Sequence, residues 1–167
     1  MAKRIIWSVF FILIAALLQS TVLGRLRVYI HAVPDLALCI LVFSAYVNGT
    51  MTGQLTGFFS GFIIDILSVS PLGLNAFIQT LVGALTGLIK GAFFLDFFLL
   101  PMALCAGATA AKALIGVPLH LLFPEAVPSY SIFNMSLWIE LGLNTLLAPF
   151  LFGLLKLFPP LKPGKRE

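Results

Sequence analysis

Acidic side chains are nearly missing from this chain: six Asp and Glu occur in 167 residues, and charged residues of both signs make up 10%. Soluble domains carry about 25% charged residues, so a water-facing globular fold is excluded. Histidine and cysteine occur twice each. His31 and His120 stand far from other ligand types, and Cys39 and Cys105 sit singly inside apolar runs. A metal site needs such ligands grouped, so none is expected, and the cysteines read as small packing residues. The patterns G-x-S-x-G, H-E-x-x-H, a Walker-type loop and a paired-cysteine motif are all absent. The sequence therefore assigns no catalytic residue and no cofactor. Nucleic acid is not an expected partner either, because Lys3, Arg4, Lys162, Lys165 and Arg166 place half of the ten basic residues at the two ends. That distribution orients a membrane protein better than it grips phosphates.

Apolar length is what the chain has in abundance. Hydrophobic residues make up 60%, with a mean hydropathy of +1.11. A hydrocarbon core of about 30 Å takes roughly 20 apolar residues per helix. Apolar windows of that order predict six spans, at 5–23, 34–48, 51–69, 72–90, 97–123 and 131–158. The expected fold is thus all-α, a polytopic six-transmembrane-helix bundle forming a single integral membrane domain over residues 1–167. The second window is short by this standard. Lys3 and Arg4 before an apolar run imitate a secretion signal, but the run continues to Leu23 without a small-x-small cleavage site, so an uncleaved first helix is expected.

An even number of spans puts both ends on one side. Termini in the cytoplasm give that face Lys3, Arg4, Lys90, Lys162, Lys165 and Arg166, against Arg25 and Arg27 outside. The excess of basic residues favours this orientation in a cytoplasmic membrane. The Arg25 and Arg27 pair is discordant, and fits contact with anionic head groups or with an external partner.

Glycine spacing is the strongest internal pattern. Gly49, Gly53, Gly57 and Gly61 recur every fourth residue, and Gly83, Gly87 and Gly91 do so in the next window. Lipid tails are as apolar as leucine, so helices in a bilayer associate by close packing, which small residues permit. Spans three and four are predicted to pack along these stripes, with Gly53, Gly57, Gly61, Gly83 and Gly87 at the contact. Gly107 with Ala103, Ala106, Ala110 and Ala111 gives span five a weaker stripe of the same kind.

Ionisable residues inside the windows are Asp65, Lys112, Glu140 and Lys156. Lys156 lies near a helix end and can snorkel. The others need shielding or pairing, because a buried charge costs about 2.5 to 3.5 kcal/mol on insertion scales. At 1.5 Å per residue, Asp65 falls about 6 Å, Glu140 about 14 Å and Lys112 about 16 Å from the outer ends of their spans. An intramembrane polar cluster of Asp65, Lys112 and Glu140 is expected, with Lys112 pairing Glu140 or Asp65. Asp65 has a second reading, in which it accepts hydrogen bonds from the turn at 70–73. Such a cluster either fixes helix register or marks a transport path. Asp35 after Pro34 reads as a helix-start carboxylate. Pro149 frees the Thr145 carbonyl, with Asn144 and Thr145 nearby to satisfy the backbone.

The segments PDLALCILVF, GQLTGFFSGFIIDILSVSPLGLNAF and QTLVGALTGLIKG, between Pro34 and Gly91, resemble the MreD family of bacterial rod-shape-determining membrane proteins. The resemblance rests on Pro-Asp-Leu opening the second helix, the glycine ladder ending in Gly-Phe-x-x-Asp, and the Pro-Leu-Gly turn. It covers about a third of the chain, and the part from Leu95 onward offers no matching motif. It implies a non-enzymatic scaffold of the cell-elongation machinery in the bacterial inner membrane. Implied partners are an MreC-like single-span protein, the actin-like MreB, and the RodA-type glycosyltransferase and transpeptidase that build lateral peptidoglycan. The family's fold is similar to that of the substrate-binding subunits of vitamin-uptake transporters. Small-molecule binding for transport is therefore the alternative function.

Overall fold

The computed structural model describes residues 2–23, 32–68, 71–91, 98–124 and 135–158. They form six α-helices: α1 (Ala2–Leu18), α2 (Leu36–Asn48), α3 (Thr50–Leu67), α4 (Leu74–Leu88), α5 (Leu99–Leu122) and α6 (Met135–Lys156). Among the described residues there is no strand. Arg25, Arg27, His31, Ser70, Asp96 and the basic tail at 162–166 lie outside them.

The helix count matches the apolar windows, but length does not follow evenly. Among the described residues three stretches are long and apolar enough to cross a bilayer, Lys3–Thr21, Leu99–Leu122 and Met135–Lys156. α2 and α4 are apolar but only 13 and 15 residues long. α3 has 18 residues, diluted by the glycines, threonines, Gln54 and Asp65 that its windows contain. The windows at 51–69 and 72–90 overran their helices, which end at Leu67 and Leu88. A glycine in the left-handed region explains the late start of α4, since Gly73 at φ 97° turns the chain into its first residue. α1 continues into a π-helical turn, Gln19–Leu23, where the Ser20 and Thr21 hydroxyls both donate to the Leu17 carbonyl.

α2 is the axis of the bundle. Nine consecutive residues, Ala37 to Ala45, are buried on every side, and α2 touches each of the other five helices. A helix apolar all round belongs in an interior, and protein neighbours remove the need to span lipid alone. The core around it includes Ile12 of α1, Val82 of α4, Leu104 of α5 and Phe152 of α6. Phe152 meets Phe43 edge to face, with ring centroids 5.1 Å apart. Ser8 and Ser44 share a buried 2.8 Å hydrogen bond between α1 and α2.

The outside is greasier than a water-facing protein tolerates. Ile6, Phe10, Phe58, Phe62, Phe77, Leu85, Leu114, Leu121, Phe150 and Leu154 all project outward, a surface suited to lipid. Only Gly49 separates α2 from α3, at φ 95°, a backbone conformation that glycine adopts without strain.

Candidate functional site

The tightest contact in the bundle joins α3 to α4. A Cβ added to Gly53 or Gly83 would fall closer than 3.0 Å to the other's carbonyl. At Gly57 it would meet the Gln79 carbonyl, at Gly61 the Ala76 backbone, and at Gly87 the Thr50 backbone, again closer than 3.0 Å. The structure thus places Gly53, Gly57, Gly61, Gly83 and Gly87 on one seam where backbone lies on backbone. The polar residue beside each glycine of α3 faces inward too. Thr52, Thr56 and Ser60 are buried, and the Ser60 hydroxyl donates to the Gln79 side-chain carbonyl across the seam at 2.7 Å.

Asp65 stands at the end of this seam and does not join Lys112 and Glu140. Its Oδ2 accepts from the backbone N–H groups of Gly73 at 2.9 Å and Ala76 at 3.1 Å. Its Oδ1 accepts from the Asn75 N–H at 3.0 Å and the Asn75 side-chain amide at 2.9 Å. These N–H groups open α4 and have no partner within the helix. A carboxylate suits them, because it also meets the positive end of the α4 dipole. This carboxylate therefore ties the end of α3 to the start of α4.

The cluster that does form contains Asp35 in place of Asp65. Lys112 Nζ of α5 lies 2.6 Å from Asp35 Oδ2 and 2.8 Å from Glu140 Oε1. These side chains keep 13–17% of their surface exposed. Asp35 also caps α2, accepting from the Leu38 N–H at 3.0 Å. Asn144 of α6 completes the joint. Its Oδ1 accepts from the Asp35 N–H at 2.7 Å, and its Nδ2 donates to Thr109 Oγ1 of α5 at 3.0 Å. Three helices are thereby locked at the start of α2. Asn144 does not serve the proline-freed backbone as expected; the neighbouring Thr145 hydroxyl donates to the Leu141 carbonyl.

Depth along the spans grouped Lys112 with Glu140, while Asp35, Asn144 and Thr109 were missed as members. The available signal was the shortness of the second window, which sinks its first residues to the level of charges in the longer helices.

Gly107 belongs to a different surface. A Cβ there would meet nothing within 4 Å. Ala103, Gly107 and Ala111 of α5 face Val82, Leu85 and Thr86 of α4 across an open groove of about 400 Å³. Its lining is apolar apart from Thr86, whose hydroxyl donates to the Val82 carbonyl of its own helix.

Comparison with curated proteins and with solved structures gives no match. The family model for the rod shape-determining protein MreD matches residues 1–158, including the seam, the Asp65 turn, the Asp35–Lys112–Glu140 cluster and the groove. The chain belongs to the MreD family of rod shape-determining proteins.

Proposed function

We propose that this chain is a non-enzymatic scaffold of the bacterial cell-elongation complex, spanning the cytoplasmic membrane six times with both termini inside. Its partners in this reading are an MreC-like single-span protein, an MreB-like actin homologue, and the glycosyltransferase and transpeptidase of lateral peptidoglycan synthesis. Family membership supports a role in rod-shape determination.

The observation that carries the scaffold reading is the contrast between two small-residue stripes. The α3–α4 stripe is closed backbone to backbone, whereas Ala103, Gly107 and Ala111 line a groove that is open. Close approach of small residues is how helices associate in lipid. The α4–α5 groove is accordingly where we place the membrane helix of an MreC-like partner. A transport subunit would instead need several convergent polar groups in its pocket, and this lining offers one hydroxyl already engaged with its own helix.

Copurification in mild detergent tests the assignment. The parent chain is expected to retain an MreC-like partner, and Gly107→Leu to reduce that retention at unchanged expression. Equal retention by both would remove the groove from the proposal. Unchanged morphology after depletion in a rod-shaped host would remove the scaffold itself.

A further inference from the structure

The outward apolar band is unequal in height around the bundle. Large exposed apolar side chains run from Phe98 to Phe123 on the α5 side and from Met135 to Leu157 on the α6 side. At 1.5 Å per residue these stretches cover about 38 and 33 Å. On α3 they run only from Met51 to Leu67, about 24 Å. On the α4 side they run from Leu72 to Leu88, about 24 Å.

Polar groups close the short side at both ends. At one end Asp65 gathers the N–H groups of Gly73, Asn75 and Ala76. At the other, the Lys90 side chain lies over Gly49, with Nζ 3.8 Å from where a Cβ on that glycine would stand. From Gly49 to Asp65 along α3 is about 24 Å, and from Asn75 to Lys90 along α4 about 23 Å. An ordinary hydrocarbon core is about 30 Å thick. Drawing either end into hydrocarbon is disfavoured, because it would immerse the exposed Lys90 or the exposed non-helical turn at Pro71–Gly73 beyond the buried Asp65. Tilting shortens a helix's reach along the membrane normal, so it relieves α5 and α6 and worsens the mismatch at α3 and α4. The remaining adjustment lies in the lipid.

We propose that the α3–α4 face thins the bilayer it touches and selects lipids with short acyl chains, while the α5–α6 face meets a bilayer of ordinary thickness. The inference rests on the membrane-spanning reading. A thinned collar also favours the approach of another protein with a short span, because two such surfaces share one deformed zone of lipid.

Lipid selection at single positions tests it. The full chain, with Trp7 and Trp138 replaced by Phe, receives one tryptophan at an outward position: Phe58→Trp on α3 or Phe150→Trp on α6. Each variant is reconstituted in vesicles mixing short- and long-chain monounsaturated phosphatidylcholines, with the short-chain lipid brominated to quench fluorescence. Quenching of the α3 reporter is expected to indicate enrichment of short chains by about twofold or more over the bulk ratio, with no enrichment at the α6 reporter. Equal quenching at both positions in vesicles that carry the protein would overturn the inference alone. Failure of the chain to float with vesicles of any chain length would overturn the membrane-spanning reading together with it.

Discussion

Gly53 and Gly83 face each other across α3 and α4 so closely that a methyl group on either would collide with the other's carbonyl. No side chain intervenes between these two residues, so the helices meet there backbone to backbone. At the two ends of the seam Asp65 meets Asn75 and the Lys90 side chain lies over Gly49.

Enlarging a residue on this seam forces the helices apart. Gly83→Val is expected to destabilise the protein by about 1 to 3 kcal/mol or more, the usual cost of overpacking a fitted interface. Gly107→Ala is expected to be neutral or stabilising by up to about 1 kcal/mol, because alanine favours helix and a Cβ at this position meets nothing within 4 Å. Thermal unfolding in a single detergent, followed by size-exclusion chromatography, compares the two.

Asp65 serves four N–H donors, which sets a graded outcome. Asp65→Asn keeps one accepting oxygen and turns an NH₂ toward donors, so an intermediate loss of stability is expected. Asp65→Leu leaves all of them unserved and is expected to cost more, with about 1 to 3 kcal/mol for each buried group left unpaired. Hydrogen exchange at Gly73 to Ala76 reports the local effect, and equal exchange in both variants would argue against the capping role.

Lys112 holds two carboxylates, so its removal is worse than the loss of one pair. Lys112→Met is expected to destabilise by about 3 to 5 kcal/mol, the cost of leaving buried charge uncompensated. Adding Glu140→Gln should recover part of this, and the double-mutant cycle measures the coupling. Strict additivity would contradict the geometry.

Asn144 joins the Asp35 backbone to Thr109. Asn144→Leu is expected to lower stability by about 1 to 3 kcal/mol through the stranded groups. Its effect should be non-additive with Lys112→Met, since both act on the start of α2. Thermal unfolding of the single and double variants gives that coupling.

Period and composition made the glycine contact readable before any coordinates, because in lipid a four-residue repeat of small residues has few uses besides close packing. The grouping of charges was only half readable. Rise per residue gives depth, which put Lys112 and Glu140 at similar levels, but the azimuth of each helix depends on contacts that periodicity does not encode. Asp65 could not be told from a cluster member until the fold of its turn was known. Asp35 was hidden by its adequacy as a cap, a role it also fills. The short spans were legible as short, yet the reason α2 tolerates its length is its enclosure by five other helices.

Gly57 is buried in the α3–α4 seam, so a bulky residue there opens the seam without touching the outer surface, and cell shape reports the result. In a rod-shaped host depleted of its own MreD, Gly57→Leu is expected to give rounded cells although the protein reaches the membrane in normal amount, while the parent chain restores rods. Rods of normal width with Gly57→Leu at parental abundance would contradict the claim that backbone contact between α3 and α4 builds the scaffold.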